Sequence, residues 1–128
     1  VRVLLDTHAL LWWLAGDERL SAVARETIAD DSTEVLVSAA SAWEIATKVR
    51  IGKLPGAASV ATELGQHLRD QGFEELPISV NHGQRAGLLP GDHRDPFDRM
   101  LAAQAQAEDV PVVSIDTVFE RFGVRRLW

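Results

Sequence analysis

The sequence predicts an α/β fold built on a parallel sheet, and three observations carry that prediction. Val3-Leu4-Leu5, Val35-Leu36-Val37 and Val112-Val113-Ser114-Ile115 are short and nearly all apolar, the mark of strands covered on both faces. Stretches of helical periodicity separate them, so strands alternate with helices along the chain, the pattern of right-handed crossovers. The apolar runs also stop at polar groups: Asp6, the hydroxyls from Ser38 to Ser41, and Asp116. In open parallel sheets the carboxyl ends of the strands are where ligands and chemistry gather.

Taken in order, the first strand ends at Asp6-Thr7, whose oxygens suit a helix N-cap, and a helix follows from His8 to Leu14. Gly16-Asp17-Glu18 breaks it. Ser21 caps a second helix from Ala22 to about Asp30, with Val23, Ala24 and Ile28 as its inner face. After the second strand comes a helix carrying Trp43 to Val49, ended by Gly52 and Pro55-Gly56. A fourth helix runs from about Ala57 to Gln71, its Val60, Leu64 and Leu68 four apart and Gly72 at C′. Leu76 and Ile78 flank Pro77 in a third strand, which the missing proline donor assigns to an edge. A short helical piece, roughly Asn81 to Leu89, precedes Pro90-Gly91. Asp95 as N-cap and Pro96 at N1 open a long helix to about Glu108. The fourth strand, a brief helix over Thr117 to Phe122 and a last strand over Val124 to Trp128 complete the chain.

The length, 128 residues, favours one domain over 1–128, and 46% hydrophobic with 25% charged residues is ordinary for a globular chain. Cysteine is absent, which removes thiolate metal sites and thiol nucleophiles and fits a reducing compartment. No apolar run approaches the roughly 20 residues of a membrane span, and no basic leader precedes Val3. The expectation is a soluble, cytoplasmic protein with no membrane partner. Net charge is −6, the wrong sign for a basic nucleic-acid coat. Divalent cations held by acids reverse that objection locally.

Four acids matter most. Asp6 and Asp116 end strands, Glu44 follows the second strand, and Asp98 opens the long helix at the border of the Phe97, Leu101 and Ala105 stripe. Taken singly, most have structural explanations. Asp6 and Asp116 cap helices. Ser41-x-x-Glu44 matches a capping box, and Glu44-x-x-x-Lys48 a favourable ion pair. Asp98 completes a box with Asp95 as readily as it serves a site; Asp92 and Asp95 read as loop and cap. Together, a parallel sheet sets all four along one rim, where their repulsion calls for hard divalent cations with oxygen ligands. His8, His67, His82 and His93 lack zinc-ligand spacing, and His67 beside Leu64 and Leu68 reads as a partly buried helix residue. No phosphate-cradling glycine loop and no Gly-x-Ser-x-Gly elbow occurs. Trp12-Trp13 reads as core, with a partner surface as the minority reading. A phosphatase or phosphotransfer domain with Asp6 as nucleophile remains as an alternative, as does a non-catalytic protein-binding module whose acids are caps.

Four stretches carry a family resemblance: Leu4-Leu5-Asp6-Thr7-His8-Ala9-Leu10-Leu11-Trp12; Val37 to Ile45 with Ser41, Trp43 and Glu44; His93-Arg94-Asp95-Pro96-Phe97-Asp98-Arg99 through Ala105; and Ser114-Ile115-Asp116. In order and spacing the chain resembles PIN-domain ribonucleases, specifically VapC toxins of type II toxin–antitoxin (VapBC) pairs. The resemblance implies a PIN fold with strand order 3-2-1-4-5. It implies Mg²⁺ or Mn²⁺ bound by Asp6, Glu44, Asp98 and Asp116, with Ser114 and Thr117 as helpers, and an endoribonuclease hydrolysing RNA phosphodiester bonds. Such chemistry uses two ions roughly 3.5–4 Å apart, or one ion joined by a second with substrate. Lys48 and Arg50 are the candidates to hold the RNA backbone. The resemblance also implies a homodimer and a small VapB-like antitoxin lying across the acidic rim.

Overall fold

Side-chain alternation along the central strand decides which helices cover which face. In the computed structural model, which describes residues 1–128, β1 (Arg2–Leu5) lies between β2 (Glu34–Ser38) and β4 (Val112–Val113). β3 (Glu74–Leu76) and β5 (Arg126–Leu127) form the edges, so the all-parallel order is β3-β2-β1-β4-β5, as the resemblance implies. Val3, Leu5, Val35, Val37 and Val113 point to one face. There they meet α1 (Thr7–Ala15), α2 (Ala22–Ala29), α3 (Ala39–Arg50) and α4 (Ala58–Gln71) through Leu10, Ile28, Ile45 and Leu64. Leu4, Leu36 and Val112 point the other way, onto Leu101, Ala102 and Ala105 of α6 (Pro96–Glu108) and Phe119 of α7 (Val118–Arg121). α5 (Val80–Leu88) packs on α6.

Helix ends follow local chemistry. Asp6, Ser21 and Asp95 accept backbone N–H bonds as N-caps of α1, α2 and α6. Gly72 closes α4 at φ 72°, a left-handed backbone that glycine adopts without a Cβ clash.

The structure corrects five expectations. Ser38, not Ser41, caps α3, accepting from Ala40 N at 2.9 Å, because β2 runs directly into the helix. The Ser41–Glu44 capping box therefore does not form, and Glu44 sits in the second turn. Val23 is 51% exposed; Ala24 and Ile28 alone face the core from α2. β3 ends at Leu76, so Pro77 terminates the edge strand instead of lying within it. β4 pairs over only two residues, and Ile115 is exposed. The last strand is likewise limited to Arg126–Leu127.

Phe119 is fully buried, so Phe119→Ala is expected to lower unfolding free energy by about 3–5 kcal/mol. Val23→Ala, on an exposed face, should change it by less than about 0.5 kcal/mol. Urea denaturation of the two variants checks both values.

Candidate active site

The rim is assembled by hydrogen bonds that join elements distant in sequence. Asp6 N donates to Val113 O at 3.1 Å, which fixes Asp6 where β1 leaves the sheet. Its Oδ1 accepts from Ala9 N at 2.7 Å, and its Oδ2 accepts from Ser114 Oγ. Ser114, fully buried after β4, also accepts from Asp116 N at 2.9 Å. One hydroxyl therefore ties Asp6 to the backbone that carries Asp116. The Asp116 carboxylate is exposed and accepts from Val118 N at 3.0 Å, but the N-cap position of α7 falls on Thr117 instead of the expected Asp116, because the helix starts only at Val118.

Glu44 is buried and held from two sides. Thr7 Oγ1, at the start of α1, donates to Glu44 Oε1 at 2.6 Å and lies 3.0 Å from Ser41 Oγ. Lys48 Nζ reaches Glu44 Oε2 at 2.5 Å, so the expected ion pair forms. At the start of α6, Asp95 accepts from Phe97 N and Asp98 N at 2.9 and 3.1 Å. Asp98 does not return a bond to Asp95; its Oδ2 lies 3.0 Å from His93 Nε2. His93 is a site neighbour that sequence reasoning missed. Its position five residues before Asp98, on the loop that α6 closes, was the available signal. Arg99 steadies that loop by donating to the carbonyls of Ala86, Leu89 and His93.

Asp6, Glu44, Asp98 and Asp116 line one cleft of about 390 Å³, together with Asp95, Thr7, His8, Trp12, Lys48, Leu101 and Ile115. Five carboxylates thus share the space with a single lysine. Arg50 lies outside it, exposed on the last turn of α3, and Thr117 is exposed with no side-chain cap bond. Trp12 borders the cleft and packs on Trp128, while Trp13 turns away to donate to Gln71.

Burial raises the pKa of Asp6 above the ordinary aspartate value; bonds from Ser114 and Ala9 and the nearby His8 oppose that, and Glu44 adds to it. Burial likewise raises Asp98, against its contact with His93, and the charges of Asp95 and Asp116 push it further. Both acids are therefore in surroundings that favour added positive charge. An all-oxygen donor set of this kind suits a hard divalent cation such as Mg²⁺ or Mn²⁺. Each acid is engaged by its own protein donor, and no three Asp, Glu or His side chains already converge on one ion position.

A family model described as PIN domain matches residues 3–124. Ribonuclease VapC22 of Mycobacterium tuberculosis is 33% identical over 107 residues, covering 80% of this chain and 78% of that protein. Among solved structures, VapBC2 from Rickettsia felis, bound to a DNA fragment from its promoter, superposes with a TM-score of 0.71 at 15% identity. That match covers 98% of this chain and 97% of the other. Mycobacterium tuberculosis VapC20, a toxin cleaving the sarcin-ricin loop, gives 0.71 at 16% identity over 95% of both chains. The structural likenesses bear on the fold.

A carboxyl whose folded pKa is raised contributes stability that is complete below its unfolded pKa and lost as pH rises through the folded one. Asp98→Asn carries no charge to develop. In chelator its melting temperature should stay near that of the parent at about pH 4 and exceed it increasingly towards pH 7. Thermal melts across that range check the sign; a difference independent of pH contradicts it.

Proposed function

This chain belongs to the PIN-domain family, and on that premise we propose that it is a VapC-type ribonuclease, the toxin of a type II toxin–antitoxin pair. The observation that carries the reading is the convergence of Asp6, Glu44, Asp98 and Asp116, from four separate elements, on one cleft at the carboxyl rim of the sheet. Residues 1–128 act as one PIN domain. No helix is long and apolar enough to cross a membrane. The proposed partners are an RNA substrate and a small VapB-like antitoxin, within a homodimer or larger assembly, and the proposed site of action is the cytoplasm, where RNA is met.

In this reading the enzyme depends on a divalent cation, Mg²⁺ or Mn²⁺, held principally by Asp6 and Asp98. Glu44 and Asp116 hold it directly or through water, or orient the attacking water. When bound, such an ion supplies Lewis-acid charge to the scissile phosphate and makes water a usable nucleophile near neutral pH. The chain's own residues set the geometry. Ser114 orients Asp6, Thr7 and Lys48 orient Glu44, and His93 steadies Asp98. Lys48, the one lysine of the cleft, also offers positive charge to the RNA backbone; Arg50 is assigned a weaker, peripheral contact. Aspartyl phosphate chemistry is disfavoured because Asp6-Thr7-His8 lacks the second Asp of the Asp-x-Asp phosphatase arrangement.

Purified chain freed of antitoxin should cleave RNA with Mg²⁺ or Mn²⁺ and stop in chelator. Losing a neighbour of a metal ligand costs about 10–100-fold, so Asp6→Asn or Asp98→Asn should cost at least about 100-fold. Cleavage unchanged by chelator or by both substitutions would refute the reading.

A further inference from the structure

The last strand carries an arginine whose bonds run towards the acidic rim. β4 and β5 pair over two residues only, Val112 with Arg126 and Val113 with Leu127. Their ladder closes where Ser114 N donates to Leu127 O at 3.2 Å. The next group along the chain, the Ser114 carbonyl, takes its bond from a side chain instead: Arg126 Nη1 donates to it at 3.1 Å. Arg126 Nε donates to Glu120 Oε1 of α7 at 3.0 Å, and its side chain is only 21% exposed. One planar guanidinium thus joins two points that a lysine could engage only one at a time.

What Arg126 holds is the residue on which two of the rim's acids depend. Ser114 is fully buried; its hydroxyl donates to Asp6 Oδ2 and accepts from Asp116 N. Beyond it Ile115, Asp116 and Thr117 are all exposed before Val118 returns to the core. That turn has little packing of its own, so Asp116 is placed by its attachment to Ser114 and by the bond from Val118 N. Arg126 does not line the cleft, so its effect there passes through Ser114. An ion pair with a partner as exposed as Glu120 adds little by itself. The charge alone does not recommend the position either, because a cation near the rim opposes the binding of another.

We propose that Arg126 is a positioning residue for the cation site: by holding the Ser114 carbonyl it fixes the hydroxyl that orients Asp6 and the turn that carries Asp116. The proposal rests on the divalent-cation reading above. It gives the arginine a share in metal affinity without contact to metal or RNA.

The test titrates Mn²⁺ into the chain freed of antitoxin and follows the loss of the free ion's paramagnetic resonance signal. The temperature is one at which melts in chelator show every variant folded. Wild type is compared with Arg126→Met, which keeps the aliphatic stem, with Glu120→Gln, with Ser114→Ala, and with the Ser114→Ala, Arg126→Met double variant. Arg126→Met should weaken Mn²⁺ binding about tenfold, the low end of what partners of metal ligands cost, and Glu120→Gln less than about twofold. The double variant should bind within about twofold of Ser114→Ala alone, since the arginine acts through that serine. Should Arg126→Met not fold, Arg126→Lys carries the test, with binding about threefold weaker expected and unchanged binding the contrary result. Unchanged binding in Arg126→Met would overturn the proposal, and tighter binding would reduce the arginine to a repelling charge. Equal losses in Arg126→Met and Glu120→Gln would overturn it too, assigning the effect to the ion pair, as would losses that multiply in the double variant. If wild type binds no Mn²⁺, the cation reading itself fails, and the role of Arg126 with it.

Discussion

Crowded negative charge at the rim of a buried sheet is the constraint around which this molecule is arranged. Asp6 and Glu44 are almost completely withdrawn from water, and five carboxylates face one cleft in a chain already carrying a net charge of −6. Buried ions are costly unless something answers them. Here the answers come from other elements. Ser114 after β4 donates to Asp6 after β1, Thr7 of α1 to Glu44 of α3, and His93 of the preceding loop meets Asp98 of α6. The acids hold the rim together through these bonds even as they repel one another.

That cross-bracing depends on strand order. With β1 between β2 and β4, the ends of the three central strands lie side by side, so Thr7 can reach α3 and Asp6 can reach Ser114. The core serves the same end. Alternate residues of β1 and β2 enter opposite cores, leaving neither face of the sheet free to shift. A rigid sheet beneath and polar links above allow like charges to sit close without the strand ends fraying.

Features governed by local rules were readable from the chain. Asp95-Pro96 marks a helix start because the cap oxygen and the fixed proline φ act within three residues, and Gly72 marks an end for a similar reason. The membership of Asp6, Glu44, Asp98 and Asp116 in one cleft followed from strand ends sharing a rim. Choices between near-equivalent neighbours were not readable. Ser38 and Ser41 offer the same hydroxyl, and only the point where β2 stops decides which one caps. Val23 and Ala24 differ by one step of helix rotation, which packing settles. The exposure of Trp43 depends on how α3 meets α6, a tertiary fact with no periodic signature. His93 came into the site through a loop conformation, where sequence patterns carry least information.

If the acids share a cation, manganese marks the place directly. Anomalous diffraction from crystals soaked in Mn²⁺ should show a peak within about 2–2.5 Å of carboxylate oxygens from both Asp6 and Asp98, inside the cleft. A cleft without such a peak at manganese concentrations that support RNA cleavage, or a peak bound to other residues alone, would contradict the account at its centre.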